Sequence, residues 1–295
     1  MRHIFILLIS CLLYSCNFNQ SKRTDSNPIA GNDTIIDTGK VANMRLTNAT
    51  EYSKVLDLLD QGDLASLDLA GMLFKNCEAD TATRDSMFVV YVDFFNNLAG
   101  NYLENNENVN DQLANSPSLE SISKLKTNLL YYGILLRSSE GTFYLEPQTE
   151  YLSRNFGDGL SQAYREYLSI ASREQQTQFA EDGTILIPTD SLTSRIITWE
   201  KFMTRYPVFV SMKMALDQYT QYLGAFVAGM DNSRVFDPDT NRLKDSIKIS
   251  FESFVLKNPE SKSAGVVKSY LELLVSTNFN YTEKVDSFLL EKVYH

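Results

Sequence analysis

Histidine is nearly missing from this chain of 295 residues: His3 and His295 are the only two, one at each end. An interior without imidazole excludes a Ser-His-Asp triad, a Cys-His pair, an HExxH zinc site and a histidine general base. Carboxylate-only chemistry of the glycosidase kind, or a lysine-based mechanism, is what remains open to catalysis. Basic residues are also in short supply, 27 Lys and Arg against 37 Asp and Glu, for a formal net charge of -10. Nucleic acid and anionic lipid surfaces both call for a Lys/Arg patch, so neither is expected as a partner of so acidic a chain. Trp199 is the one tryptophan, which argues against a surface of indoles stacking on sugar faces, and its helical phase with Ile196, Phe202 and Met203 places it in the core. Glycine-rich phosphate loops, a GxSxG elbow, a kinase signature and a CxxC pair are all lacking, and no cofactor is implied. Gly157-Asp158-Gly159 reads only as a turn ahead of a helix. The apolar run from Ile4 to Leu13 is too short to cross a bilayer.

That run carries information of another kind. Arg2 and His3 precede it and it ends in Leu13-Tyr14-Ser15-Cys16, so residues 1–15 read as a secretory signal peptide. Cysteine directly after such a core resembles the lipobox of bacterial lipoproteins, although Tyr14 stands where that family usually carries a small or aliphatic residue. The resemblance implies that signal removal exposes Cys16, that its thiol and amine are acylated, and that acyl chains on Cys16 are the contact with the membrane. Asn17-Phe18-Asn19-Gln20-Ser21 has no acidic cluster of the kind linked to display outside the cell. Asn17 is also not the aspartate that resembles an inner-membrane retention signal. The outer membrane, facing the periplasm, is therefore the expected location. With Cys11 in the signal and Cys16 acylated, Cys77 is the one cysteine left to the fold, which excludes an internal disulfide. Its place after the apolar Met72-Leu73-Phe74 suggests a buried structural thiol.

Residues 16–47 are polar and turn-rich and read as a tether. A flexible segment of this length would hold the domain on the order of 30 Å from its anchor, unless Ile35-Ile36 docks as a short strand. From residue 48 to 295 the pattern is mainly α: antiparallel helix pairs, as an αα-repeat or an irregular bundle, with one or two short extended segments and a possible sub-boundary near 183–190. Asn48-Ala49-Thr50-Glu51 is a capping box, followed by Tyr52, Val55, Leu56 and Leu59 at helical spacing up to Gly62, with Asp63 capping the next helix. Met87, Val90, Tyr91, Phe94, Phe95, Leu98 and Tyr102 form an apolar stripe whose aromatics read as a core face. Ser116-Pro117 opens a further helix through Ile122, Leu125, Leu129 and Tyr132. Extended segments are expected at Thr142–Pro147, after Ser139-Glu140-Gly141, and at Thr184–Pro188, after Glu181-Asp182-Gly183. Leu160, Tyr164, Tyr167, Leu168 and Ala171 mark the helix between them.

The C-terminal half repeats itself. Trp199-Glu200-Lys201-Phe202 running to Tyr206-Pro207 aligns with Phe251-Glu252-Ser253-Phe254 running to Asn258-Pro259, offset by 52 residues. Each copy has an aromatic pair at i and i+3, a basic residue near the helix end, and a proline that stops the helix and starts its partner. These corners, with Glu260-Ser261 following the second, resemble those of bacterial tetratricopeptide-like lipoproteins. The spacing departs from the 34-residue period and the Trp-Leu-Gly-Tyr pattern is absent. The resemblance implies paired antiparallel helices and no particular binding residue.

Few residues stand out as chemical candidates. Asp237, Asp239, Asn241 and Asp245 occupy ligand positions of a calcium loop, but Arg242 and Lys248 stand where its glycine and closing glutamate belong, so an acidic turn capping a helix near Asn241 is the reading preferred, and no metal is expected. Glu140 and Glu146 flank the extended segment, where a glycosidase pair would have to be brought together by the fold. Tyr219 and Tyr222 could contribute to a binding groove or pack in the core. The expected function is a lipid-anchored, non-catalytic binding or scaffold module for a protein or peptide partner. The alternatives are a carboxylate hydrolase of envelope glycans, and a nutrient-capture lipoprotein resembling helical glycan-binding partners of outer-membrane transporters. Cys16→Ala should abolish labelling by a fatty-acid probe and release a soluble domain or block processing. Label that persists in the variant would remove Cys16 as the anchor.

Overall fold

The computed structural model describes residues 44–105, 109, 113, 118–139 and 142–294. The signal segment, Cys16, most of the tether, Ser116-Pro117, Glu140 and His295 lie outside them. Eleven α-helices occur among the described residues, with three two-stranded antiparallel hairpins. The first helices are α1 (Ala49–Leu56), α2 (Ala65–Lys75), α3 (Thr81–Asn105) and α4 (Leu119–Tyr131). The hairpin β1 (Ile134–Ser139) and β2 (Thr142–Pro147) follows, then α5 (Thr149–Phe156), a 3-10 turn at Gly157–Gly159 and α6 (Gln162–Gln175). β3 (Ala180–Glu181) and β4 (Thr184–Ile185) precede α7 (Thr189–Arg205) and α8 (Met212–Val227). β5 (Gly229–Met230) and β6 (Ser233–Arg234) precede α9 (Asp245–Lys257), α10 (Lys262–Ser276) and α11 (Glu283–Lys292). The mainly α expectation therefore holds. None of the described helices is long and apolar enough to cross a membrane.

Local signals account for most boundaries. Asn48 accepts from the Glu51 amide at 2.9 Å while Glu51 accepts from the Thr47 amide at 3.1 Å, closing the capping box one residue early. α1 stops at Leu56, short of Gly62, because the Leu58 and Leu59 amides tighten onto Val55 and Leu56, and the Gly62 amide is taken by Asp60. Asp63 accepts from the Ala65 amide at the start of α2. Ser118 caps α4, and Ser161 and Ser261 cap α6 and α10. Thr142–Pro147 pairs with Ile134–Ser139 from Ser139↔Thr142 to Ile134↔Pro147, so the extended segment is one arm of a hairpin. In the second hairpin Asp182 and Gly183 both have positive φ, 46° and 64°. A two-residue loop with that pair of angles is a type I′ turn, matched to the twist of its strands.

The two aligned segments end their first helices alike. Tyr206 and Asn258 end α7 and α9 with nearly the same backbone angles, (-124°, 61°) and (-132°, 54°), and each donates its amide to the phenylalanine carbonyl four residues back. The following proline keeps each of them out of the α region. The second half differs: α10 begins three residues after Pro259, whereas α8 begins five residues after Pro207. The longer corner tucks Phe209 into the core, so neither proline starts the partner helix. α7 packs on α8 and α9 on α10, and α10 also lies against α7.

One cluster of buried apolar residues runs from Leu46 to Val293. Its largest members are aromatic, including Tyr52, Phe74, Phe88, Tyr91, Tyr164, Trp199, Phe202, Phe251 and Tyr270. Phe88, outside the expected stripe on α3, is as buried as its neighbours, and packs on Phe156 at 5.3 Å and Tyr164 at 5.0 Å. Trp199, Phe202, Phe251 and Phe254 are all buried. Truncating any one of them to Ala should cost roughly 3 to 5 kcal/mol in urea unfolding of the domain. Losses below about 1 kcal/mol at all four would mean that the rings are not packed as described.

Candidate functional site

Tyr222, on α8, is buried and belongs to a polar cluster drawn from three helices. Its hydroxyl donates to Glu174 Oε2 at 2.9 Å, and the same oxygen accepts from Trp199 Nε1 at 3.0 Å. Arg195, from α7, donates to the Tyr222 hydroxyl at 3.1 Å and to the Thr177 carbonyl at 2.8 Å, with its guanidinium 5.4 Å from the ring centre. Burial raises the Glu174 carboxyl above the ordinary glutamate range, and the Trp199 bond, the Arg195 charge and the Tyr222 bond offset this only in part. Burial also pushes the Tyr222 phenol well up. The cluster joins the end of α6 to α7 and α8.

Tyr219 is one turn away and partly buried, its hydroxyl 3.0 Å from Ser263 Oγ. Ser263 leads into a second carboxylate, Glu200 of α7, which covers the N-terminus of α10. Glu200 accepts from the Lys262 amide at 2.8 Å, the Ser263 amide at 2.9 Å and both the Ser261 and Ser263 hydroxyls. Burial works against its ionisation, yet the bonds from Ser263, Ser261 and Lys262 hold the carboxyl below its ordinary value overall. A carboxylate facing the free amides at a helix start is favoured by hydrogen bonding and by the helix dipole. Asp85 of α3 does the same for α6, accepting from the Ser161 amide at 2.9 Å.

The remaining candidates are partnered locally. Glu146 is paired to Arg137 Nε at 2.7 Å and meets Gln175 Nε2 at 3.3 Å; Glu140 lies outside the described residues. Asp237 Oδ1 accepts from the Asp239 and Thr240 amides and the Thr240 hydroxyl. Those bonds, the Thr240 amide foremost, hold its carboxyl below the ordinary range. They make an Asx-type turn, and the helix it was expected to cap starts later, at Asp245, after Phe236 and Leu243 have bridged. Among the described residues no group of three or more His, Cys, Asp or Glu is placed to hold a metal. Cys77 is buried, and burial raises its thiol above the ordinary value.

What faces outward at the α7–α8 corner is apolar. Phe209 is locked against Tyr164 at 4.9 Å, Tyr167 at 5.4 Å and Phe202 at 5.2 Å. The residues on either side of it are turned away from that pocket: Val208 is 94% exposed and Val210 51%. Pro207 in front and the Phe209 and Met212 amide bonds to Tyr206 and Phe209 keep the loop in shape. Sequence reading expected a bare proline corner here, because the alternation Val-Phe-Val does not reveal which of the three turns inward. No family model, curated protein or solved structure matches this chain.

The two carboxylates should oppose one another in acid. The native state binds the Glu174 proton more tightly than the unfolded chain, so this group's contribution to stability falls as pH rises from the ordinary glutamate value through the raised one. Glu200 is the reverse: its contribution is complete above the unfolded value and is lost as pH falls through the depressed one. Urea unfolding across about pH 3 to 8 should show Glu174→Gln removing the first dependence and Glu200→Gln the second. Unchanged profiles in both variants would count against these environments.

Proposed function

We infer that this protein is a lipid-anchored envelope module that binds or scaffolds a protein or peptide partner, held at the periplasmic side of the outer membrane by acyl chains on Cys16. The observation that carries the partner is the α7–α8 corner, where Val208 and Val210 stand in solvent on a loop stiffened by Pro207 and anchored by Phe209. Covering a fully exposed valine contributes roughly 1.5 to 3 kcal/mol, and a stiff loop loses little entropy on docking. Ile249 and Leu256, two turns apart on α9, add exposed apolar surface to the second helix pair. The paired helices with proline-ended corners are similar to tetratricopeptide-like architecture, which supports the same reading. Acyl anchoring with a tether from residue 16 up to Leu46, which itself packs in the core, would let the domain reach a partner near the membrane.

Affinity capture with the mature chain carrying a photo-crosslinking residue at Val208, read by mass spectrometry, should recover a defined envelope protein. Val208→Glu with Val210→Glu should lower that affinity on the order of tenfold or more, the equivalent of at least about 1.4 kcal/mol, and leave the melting temperature unchanged. Recovery of the same protein at wild-type level by the double variant would reject this surface as the contact.

A further inference from the structure

The acidic character of the chain is reversed locally. Where the end of α2, the start of α3, the end of α5 and the Gly157–Gly159 turn meet, a cavity of about 330 Å³ is lined by Lys75, Arg84 and Arg154. Asp158 is the one carboxylate in its wall, against three cations, so the lining carries a net charge of +2 within a chain of net charge -10. None of the ion pairs within 4 Å among the described residues involves Lys75, Arg84 or Arg154.

Arg84 is the organised member of the set. It is partly buried, and its Nη2 and Nε donate to the Cys77 and Ala79 carbonyls at 2.8 and 3.2 Å, which fixes the plane of the guanidinium. Nη1 is turned toward Gly159: a Cβ at that residue would come within 2.8 Å of it. Glycine at 159 is thus what lets the guanidinium lie against the turn. Behind it the rings of Phe74 and Phe156 pack edge to face at 5.1 Å and close the inner wall. Lys75 and Arg154 stand at the exposed mouth, where Lys75 reaches the side-chain oxygen of Asn155 at 3.5 Å and lies in the field of Asp68 beyond ion-pair distance. A fixed guanidinium with free donors, two further cations and a surplus of two charges match a doubly charged oxyanion better than a single carboxylate.

We propose that this cavity is a binding site for a phosphate monoester group, held by Arg84 Nη1 with Lys75 and Arg154 closing over it. The site is independent of the Val208 corner.

Two arms separate the sources of such a group. Calorimetric titration of the full chain at low salt with glycerol 3-phosphate tests a soluble ligand. Sedimentation of the full chain carrying Cys16→Ala with phosphatidylcholine vesicles, with and without phosphatidate, tests a lipid headgroup. Saturable one-to-one binding is expected in the soluble arm, weakening with added salt, and enrichment on phosphatidate vesicles in addition would identify the headgroup as a source. Lys75→Glu with Arg154→Glu, both exposed and free of ion pairs, should weaken binding roughly tenfold or more. Gly159→Ala should also weaken it by displacing Arg84 Nη1 from the turn while conserving every charge, and it keeps the test open if Arg84→Gln disturbs the Cys77–Ala79 backbone. Absence of binding in both arms would overturn the proposal, as would binding that the Lys75/Arg154 double variant and Gly159→Ala both leave unchanged.

Discussion

Burial of aromatic rings between helices is the interaction on which the rest of this molecule rests. The described fold has no disulfide, its single described cysteine being free, and its largest buried side chains are Trp, Tyr and Phe. Ring contacts run without a break from Tyr52 and Phe74 through Phe88, Phe156 and Tyr164 to Phe209, Tyr167, Trp199 and Phe202. Tyr164 is the junction: it touches α3 through Phe88 and the α7–α8 corner through Phe209, and its buried hydroxyl meets Ser211 at 2.6 Å. A second set, Phe226, Phe251, Phe254, Tyr270 and Phe288, joins α8 to α11. Edge-to-face packing recurs throughout, as the quadrupoles of the rings favour.

The polar clusters are consequences of that packing. Glu174 finds both its donors because Trp199 and Tyr222 are held in the core with their polar edges toward α6. Glu200 and Asp85 close the starts of α10 and α6, helices whose capping serines, Ser261 and Ser161, lie 61 and 76 residues further along the chain than the carboxylates that serve them. Buried helix ends leave amides that need acceptors, and in this fold those acceptors come from distant carboxylates as well as from the capping serines. The charged residues are thereby divided between two roles, with Glu200 and Asp85 serving helix starts from within the packed helices while Lys75 and Arg154 remain at the surface around a cavity. A net negative charge for the whole chain therefore says little about the potential at that one cavity.

Several features were legible in the residues alone. The amphipathic spacing of Met87 to Tyr102, the Asn48 capping box and the Pro207 and Pro259 stops are short-range signals, set by side-chain periodicity and by the backbone angles that proline forbids to its predecessor. The buried position of Trp199 followed from helical phase, and the turn at Asp182-Gly183 from its residue types. Lipidation at Cys16 is likewise a reading of local sequence, and it lies outside the described residues. What the residues did not reveal was which polar groups would meet. Tyr219 and Tyr222 looked alike, yet one reaches Ser263 and the other Glu174, because three residues on a helix turn them toward different neighbours.

Sequence by itself determined the helical class, the helix stops ahead of Pro207 and Pro259, the core aromatics of the paired helices and the absence of an interior imidazole, since each depends on residue type and near spacing. Tertiary structure alone decided which side chains converge. Lys75, Arg84 and Arg154 are up to 79 positions apart and meet only because Phe74 and Phe156 pack ring against ring. Val208 and Val210 face solvent only because Phe209 between them is drawn into the space bounded by Tyr164, Tyr167 and Phe202. Long-range packing sets both, and no periodicity in the chain encodes it, because the energy lies in contacts between elements and not within them.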